Sequence, residues 1–229
     1  MADALTCQLN NTGCIFVVMT PDPDPSFRYL AGDPSLDLVN TVDWTADGPV
    51  AERLGDYAAL VKWAEGAGVI VAADAARLLR RSRTRQGEAA RVHAQALELR
   101  ELIQQASVGV ARGRIDPALL ARLDTSIRKI ETHRRLEASG GRRTPGLSWR
   151  WQGLGESLDS PLWPVVLAAS TLLTSPEAGK IRVCEGSDCG WMYVDRSRNG
   201  LRRWCAMDQC GGREKARRHY ARVKASRKD

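Results

Sequence analysis

The chain has 229 residues, of which 43% are hydrophobic and 27% are charged, and its formal net charge is +7. This composition is globular rather than disordered, and the length suits one medium domain with a small module attached. No stretch approaches the ~20 apolar residues of a membrane helix, which excludes a membrane-spanning class. The start Met1-Ala2-Asp3 is unlike a secretory signal, so we expect a cytoplasmic protein without disulfides.

The positive charge is concentrated near the C-terminus. Residues 180–229 contain fourteen Lys and Arg against six Asp and Glu, a balance of +8, whereas residues 1–179 contain twenty against twenty-one, a balance of −1. A near-neutral body with a basic appendage indicates a polyanionic partner, most commonly nucleic acid. The alternative is a basic tail that only improves solubility.

The first 26 residues are poorly patterned. Their apolar run is short and is followed by three closely spaced prolines. Cys7 and Cys14 have no neighbouring pair of ligands, so we expect both to be free thiols. We predict a flexible leader over residues 1–26, with folding signals that begin near Phe27.

The body, residues 27–178, is predicted to be mostly helical. Apolar side chains that recur every three or four residues indicate its helices. We expect a strand or turn and a short helix over 27–46, then helices at 52–64, 72–79, 85–111, from 117 to about 130, and from 162 to about 173. The helix at 85–111 and the next one are joined by a short loop and should form an antiparallel pair.

Two of these helices begin with a polar residue followed by proline. Asp116 precedes Pro117, and Ser160 precedes Pro161. The polar side chain can accept from the free amides of the first turn, and proline lacks an N–H where none is needed. We therefore predict capped helix starts at both places.

A β-ribbon is predicted near the middle of the chain. Residues 133–138 and 147–151 flank Gly140-Gly141, which is typical of two strands joined by a loop. Farther along, the segment 176–180 follows the end of a helix and is the predicted boundary between the body and the C-terminal module.

Four residues of the body are candidates to line a ligand pocket: Asp37, Asn40, Asp43 and Trp44. Polar groups close together beside an aromatic ring are typical of small-molecule sites. Turn and capping roles are the alternative. Under the first interpretation the body senses a small effector, and it could also mediate homodimer formation.

Four cysteines, Cys184, Cys189, Cys205 and Cys210, form two pairs, each with four residues between its cysteines, and fifteen residues separate the pairs. Two such pairs on a short segment are typical of a closed tetrahedral thiolate site for zinc. A segment of this size has too few apolar side chains to fold alone, and a structural zinc supplies about 10–16 kcal/mol of apparent binding energy. We predict one structural Zn²⁺; unrelated thiols or two disulfides are the alternatives.

The zinc module, residues 179–229, is predicted to be a hairpin followed by a helix. Its strands would be Trp191–Val194 and Leu201–Trp204, with one cysteine pair at each end and both tryptophans beside the metal. Asp208 is predicted to cap a helix that reaches about Lys224. Cys210 would then enter the first turn, where free amides and the helix dipole favour a thiolate.

The predicted helix has two basic stripes. Nine residues of the module are candidate nucleic-acid contacts: Arg202, Arg203, Arg213, Lys215, Arg217, Arg218, Tyr220, Arg222 and Lys224. One stripe contains Arg213, Arg217, Tyr220 and Lys224, and the other contains Lys215, Arg218 and Arg222. Such side chains bind phosphates or guanine edges, whereas a solvated charged helix is the alternative. Arg202, Arg203 and Arg213 could instead neutralise the sulfurs.

The module resembles the CGNR-type zinc-finger proteins, a bacterial family whose N-terminal region is called the ABATE domain and is assigned to stress-induced transcription regulators. The resemblance is carried by Cys184, Cys189 to Trp191, Tyr193 to Asn199, Arg202 to Met207, Cys210 to Arg213 with Lys215 and Ala216, and, in the body, Leu36 to Val42. It implies zinc and DNA binding. This chain has Gly212 where the family motif has asparagine, which puts a contact of that asparagine in doubt and weakens the helix by about 0.5–1 kcal/mol relative to alanine.

The predicted fold class is α+β and predominantly helical: a multi-helix body with a small β-ribbon and a C-terminal treble-clef or ribbon-like zinc module with four cysteine ligands. The leading hypothesis is a zinc-dependent DNA-binding transcription regulator, with RNA binding as a variant. A zinc-stabilised protein-interaction module is the alternative. We do not expect an enzyme, because catalytic motifs are missing and a four-cysteine site lacks the open position of catalytic zinc.

Overall fold

The computed structural model describes residues 7–10, 13–16, 27–45, 48–139 and 146–225. In the leader, strand β1 (Cys7–Asn10) pairs antiparallel with β2 (Gly13–Phe16). The rest of the predicted flexible leader and the side chains of Cys7 and Cys14 lie outside the described part. Among the described helices, none is both long enough and apolar enough to cross a membrane.

The body begins with a short buried helix, α1 (Pro34–Val39). The side chain of Asp33 caps this helix by accepting a hydrogen bond from the N–H of Ser35 at 2.9 Å. Strands β3 (Val42–Thr45) and β4 (Gly48–Glu52) follow as an antiparallel pair. The short helix was predicted, whereas the strand pair behind it was not.

Five further helices complete the body: α2 (Tyr57–Gly66), α3 (Ala72–Thr84), α4 (Gln86–Ala111), α5 (Pro117–Glu131) and α6 (Leu162–Thr174). The helix predicted from Glu52 begins later, because Glu52 ends β4 and Asp56 caps α2 at the N–H of Ala59, 2.8 Å away. The pair α4 and α5 packs together as predicted. Asp116 caps α5 by accepting from the N–H of Ala118 at 2.9 Å, which confirms that prediction.

The predicted cap at Ser160 is wrong. Helix α6 begins without a side-chain cap, and the hydroxyl of Ser160 accepts from the N–H of Gly155 at 3.0 Å. Ser160 is fully buried, so its hydroxyl closes the preceding loop instead of the helix. A 3-10 helical turn over Pro176–Lys180 follows α6, and Ser175 caps that turn at the N–H of Glu177.

The predicted β-ribbon is confirmed. Strand β5 (Arg134–Ser139) pairs antiparallel with β6 (Gly146–Trp151) along its whole length. The base of the ribbon packs on α6, because the ring of His133 stacks on Trp163 with 3.8 Å between the ring centroids.

The C-terminal hairpin differs from its prediction. Strand β7 (Ile181–Val183) pairs antiparallel with β8 (Met192–Val194), and Leu201–Trp204 is irregular. Cys184 and Cys189 lie in the connection between the two strands. The first cysteine pair therefore occupies the turn of the hairpin, which leaves β8 to pair with the preceding strand.

A π-helical turn, Met207–Gly211, leads into the last helix, α7 (Gly212–Ala225). The predicted cap at Asp208 is wrong, because this turn begins without a side-chain cap. The carboxylate of Asp208 instead forms an ion pair with Arg28 of the body at 3.2 Å.

One hydrophobic core joins the body to the C-terminal residues. It contains helix residues such as Leu36 and Ile103 together with Met192, Tyr193 and three of the four cysteines. A backbone hydrogen bond also joins the body to β8, since the N–H of Val194 donates to the carbonyl of Ala31 at 2.8 Å. The site described next is therefore held by the body as well as by its own loops.

Candidate metal centre and basic helix

The sulfurs of all four predicted ligands meet in one place. Cys184, Cys189, Cys205 and Cys210 have sulfur atoms that all lie within 4.8 Å of one another. Cys205 is 3.8 Å from Cys189 and 3.6 Å from Cys210. Zn–S bonds of about 2.3 Å in a tetrahedron place sulfurs about 3.8 Å apart, so the geometry fits a zinc site. With four sulfurs, the site has no open position for a substrate.

The local backbone suits thiolates better than thiols. The sulfur of Cys184 accepts from the N–H of Gly186 at 3.4 Å and from the N–H of Cys205 at 3.3 Å. Hydrogen bonds from the neighbouring thiols, with these amides, lower the pKa of Cys184. Hydrogen bonds with Cys184 and Cys189 and then burial raise the pKa of Cys205, and the charges of the same two groups also oppose its ionisation. A divalent cation would remove that opposition and allow every sulfur to ionise.

A guanidinium lies beside the cluster. Arg213 donates to the sulfur of Cys210 at 3.1 Å, so it takes the sulfur-neutralising role that was one of its two predicted roles. Gly186 allows the cysteine loops to close, because a side-chain carbon at this position would come within 3.2 Å of the Cys210 sulfur. Trp204 packs at the edge of the core beside these loops, as predicted.

Asn40 binds the strand that follows the first cysteine pair. Its side-chain amide donates to the carbonyl of Met192 and accepts from the N–H of the same residue, both at 2.8 Å. Asn40 is 3% exposed, so both bonds are shielded from water. The amide acts as a neighbouring strand would and fixes β8 on α1.

Two other pocket candidates also bind protein groups. Asp43 accepts from the ring N–H of Trp191 at 3.1 Å and forms two bonds with Arg53. Asp37 is buried and accepts from the N–H of Ala31 at 2.9 Å. The side chain of Trp44 lies outside the described residues. In the described structure, Asp37, Asn40 and Asp43 thus bind other groups of the chain.

The body has a cavity of about 300 Å³ in a different place, between α4, α5 and α6. Leu99, Ile130 and Val166 contribute apolar surface, and Glu98 and Arg122 contribute charge. The volume is at the lower end of the range for small-molecule sites. Asp37, Asn40 and Asp43 do not line this cavity.

Arg202 and Arg196 hold the C-terminal residues on the body. Arg202 donates to the carbonyls of Leu30, Trp204 and Cys205, and its guanidinium lies 4.1 Å from the ring centre of Tyr193. Arg196 binds the carbonyl of Gly32 and both oxygens of Glu177. The role of Arg196 was missed in the sequence, where this residue belongs to a turn-forming run.

The remaining basic residues are more accessible. Arg203 pairs with Glu185, Arg217 contacts Ser187 and Asp188, and Arg218 lies near Glu214 and over Trp204. The other four candidates, Lys215, Tyr220, Arg222 and Lys224, are exposed. Arg213 and Arg217 therefore lie on the basic stripe that faces the cysteine loops. Lys215 and Arg222 lie on the other stripe.

Comparison with known families matches two parts of the chain. A family model described as the CGNR zinc finger matches residues 180–223, which contain all four cysteines. A second model, ABATE, described as a "putative stress-induced transcription regulator", matches residues 32–176. A comparison with curated proteins finds no match.

Proposed function

Because this chain belongs to the ABATE family, we propose that it is a zinc-dependent, DNA-binding transcription regulator in which α7 contacts the DNA. One structural Zn²⁺ held by Cys184, Cys189, Cys205 and Cys210 would fix the start of this helix. The observation that carries the proposal is the attachment of an exposed basic helix directly to a four-sulfur cluster. We place the protein in the cytoplasm, on the nucleoid.

The charge of α7 supports a phosphate-binding role. The helix contains six Lys and Arg and one Glu, a balance of +5 over fourteen residues. Double-stranded DNA carries one negative charge about every 1.7 Å along its axis, so a straight basic helix can neutralise several phosphates. A helix also fits the major groove, where arginine can bind guanine edges.

The stripe of Lys215, Arg218 and Arg222 is the better candidate surface. Lys215 and Arg222 are exposed, and no ion pair of theirs occurs among the described residues. Arg213 is instead engaged by the Cys210 sulfur, and Arg217 by the first cysteine loop. In this proposal Tyr220 and Lys224 contribute at the edge of the contact, and Arg202 and Arg203 have mainly structural roles.

The body has a sensory role in the proposal. The cavity between α4, α5 and α6 supports binding of a small effector, since it combines apolar walls with charged groups. The effector would act on DNA binding through the shared core that joins the body to β8.

A salt titration of DNA binding tests the role of α7. The affinity of the zinc-loaded wild type for duplex DNA should fall steeply with salt, with a log–log slope near −0.9 per neutralised phosphate. The double variant Lys215→Glu/Arg222→Glu should reduce the magnitude of this slope by about 1.8 and weaken binding at least tenfold. Zinc content should be unchanged, because neither residue contacts the cysteines.

Arg112→Glu/Arg114→Glu is the matched control, because it makes the same change in net charge in an exposed loop of the body. An equal loss of affinity in both variants would argue against a contact by α7. Competition with duplex RNA distinguishes DNA binding from the RNA-binding alternative. Capture of a protein partner that nucleic acid does not compete with would instead support the interaction module.

A further inference from the structure

The β5–β6 ribbon is exposed on both faces beyond its base. Leu136, Leu147 and Trp149 are 52%, 70% and 51% exposed. They share one face, because Leu136 is paired with Trp149 and Leu147 lies two residues before Trp149 on β6. A ribbon with three large apolar side chains in solvent indicates a contact surface.

The opposite face of the ribbon is basic. Arg135 and Arg150 are exposed and are directly paired across the two strands. Like charges at such positions destabilise a strand pair, and Glu137 is the one acidic residue on this face among the described residues of the ribbon. Arg135 donates only to a neutral group in the described structure, the amide oxygen of Gln152 at 2.6 Å.

The charge of the whole segment favours an anionic partner. Residues 133–151 contain five arginines and one glutamate, a balance of +4. The body, residues 27–178, contains twenty Lys and Arg against eighteen Asp and Glu, a balance of +2, so the remainder of the body has a balance of −2. The segment that contains the ribbon is therefore positive, whereas the remainder of the body is slightly negative. A second ribbon from another copy would bring equal positive charge, which disfavours ribbon-to-ribbon pairing.

The shape and chemistry of the ribbon fit duplex DNA. The major groove admits a two-stranded β-ribbon, and arginine binds phosphates or guanine edges there. We infer that the β5–β6 ribbon is a second DNA-contacting element, in which Arg135 and Arg150 on its basic face bind phosphates.

This inference rests on the proposed function for its ligand, duplex DNA, but it does not depend on a contact by α7. The test uses the full, zinc-loaded chain with the variant Arg135→Glu/Arg150→Glu. Both residues are exposed, so folding should be retained and can be checked by thermal unfolding. The affinity for duplex DNA should fall at least tenfold, and the magnitude of the log–log salt slope should decrease by about 1.8, for two lost phosphates.

Arg112→Glu/Arg114→Glu is again the control. It makes the same charge change near the start of α5, whereas the ribbon follows the end of that helix, about 20 Å away at about 1.5 Å per residue. The salt slope of the control should equal that of the wild type. A slope for the ribbon variant equal to that of the control would overturn the inference.

The variants also separate this inference from the proposed role of α7. If Lys215→Glu/Arg222→Glu lowers the slope and the ribbon variant does not, only the ribbon inference fails. The reverse result would contradict a DNA contact by α7 and support the DNA contact by the ribbon. Absence of duplex binding by the wild type would end both. Sedimentation of the wild type as a dimer that Leu147→Asp/Trp149→Asp converts to a monomer, with an unchanged salt slope, would assign the ribbon to self-association.

Discussion

At the scale of single residues, Asp37 illustrates how burial changes a carboxyl group. Burial raises the pKa of Asp37 to about 7, although the N–H of Ala31 donates to its carboxylate and opposes the increase. The nearby carboxyl of Asp33 raises it further. The side chain thus retains a proton at a pH where an exposed aspartate, with a pKa of about 3.9, is ionised.

We expect this group to make stability depend on pH. Between about pH 4 and pH 7 the folded chain holds a proton that the unfolded chain has released, so the free energy of unfolding should decrease as pH rises through this window. A difference of about three pKa units corresponds to at most about 4 kcal/mol. Asp37→Asn removes this contribution, so the variant should lose less stability than the wild type over the same interval.

Urea unfolding of both proteins at several pH values measures the effect. The cysteine cluster and the carboxyl groups that do not interact with Asp37 are common to the two chains, so their pH dependence cancels and the difference reports Asp37 together with its neighbour Asp33. Parallel curves for the wild type and Asp37→Asn would contradict the assigned role of burial.

At the scale of elements, the junction between α1 and β8 depends on Asn40. Asn40→Ala removes both bonds to Met192 and leaves a buried N–H and a buried carbonyl without these partners. Each unsatisfied group costs about 1–3 kcal/mol, so the free energy of unfolding should decrease by about 2–6 kcal/mol. Urea unfolding measures this loss, and zinc release to a competing chelator should be faster.

Asn199→Ala is the matched control, because Asn199 is an exposed asparagine in the loop after β8. Its stability should stay within about 0.5 kcal/mol of the wild type, as for most surface substitutions. If the two variants were equally stable, the side chain of Asn40 would not hold β8.

The elements that could be predicted from the sequence are those with strong local patterns. The stripe of α4, the cap of α5 and the two ribbon strands depend on residues close together in the chain, and the structure contains all three. The spacing of the cysteines likewise predicted one cluster. Local patterns did not identify the contact between β8 and Asn40, because Asn40 and Met192 are 152 residues apart in the sequence.

The polar residues near α1 show the same limit. Asn40 and Asp43 stand among apolar residues, which signals buried polar groups that need partners. The sequence could not say whether these partners were a ligand or the protein. Their partners, Met192 and Trp191, follow the first cysteine pair, so the assignment required the tertiary structure.

At the scale of the whole molecule, the shared core should couple metal binding to the folding of the body. Zinc removal by a chelator, or Cys189→Ser, should lower the urea midpoint of the whole chain. Structural zinc contributes about 10–16 kcal/mol of apparent binding energy, so the loss should be several kcal/mol. Helical circular dichroism and tryptophan fluorescence should decrease together in one transition, because the same core contains both parts.

Cys7→Ser/Cys14→Ser is the control for thiol loss, since both cysteines lie in the leader, outside the segment 184–210 that contains the four predicted ligands. Its midpoint and zinc content should equal those of the wild type. Two separate transitions after chelation, with the helices of the body unchanged, would mean that the C-terminal residues fold independently.

The bonds between residues 28–40 and the C-terminal residues also determine how motion can pass through this molecule. Ala31 and Asn40 hold β8, Gly32 holds Arg196, and Arg28 pairs with Asp208 at the base of α7. We expect these bonds to couple a displacement of this segment to β8 and to the base of α7, because both are joined to residues 28–40. Reorienting α7 requires rearrangement of the segment in front of it.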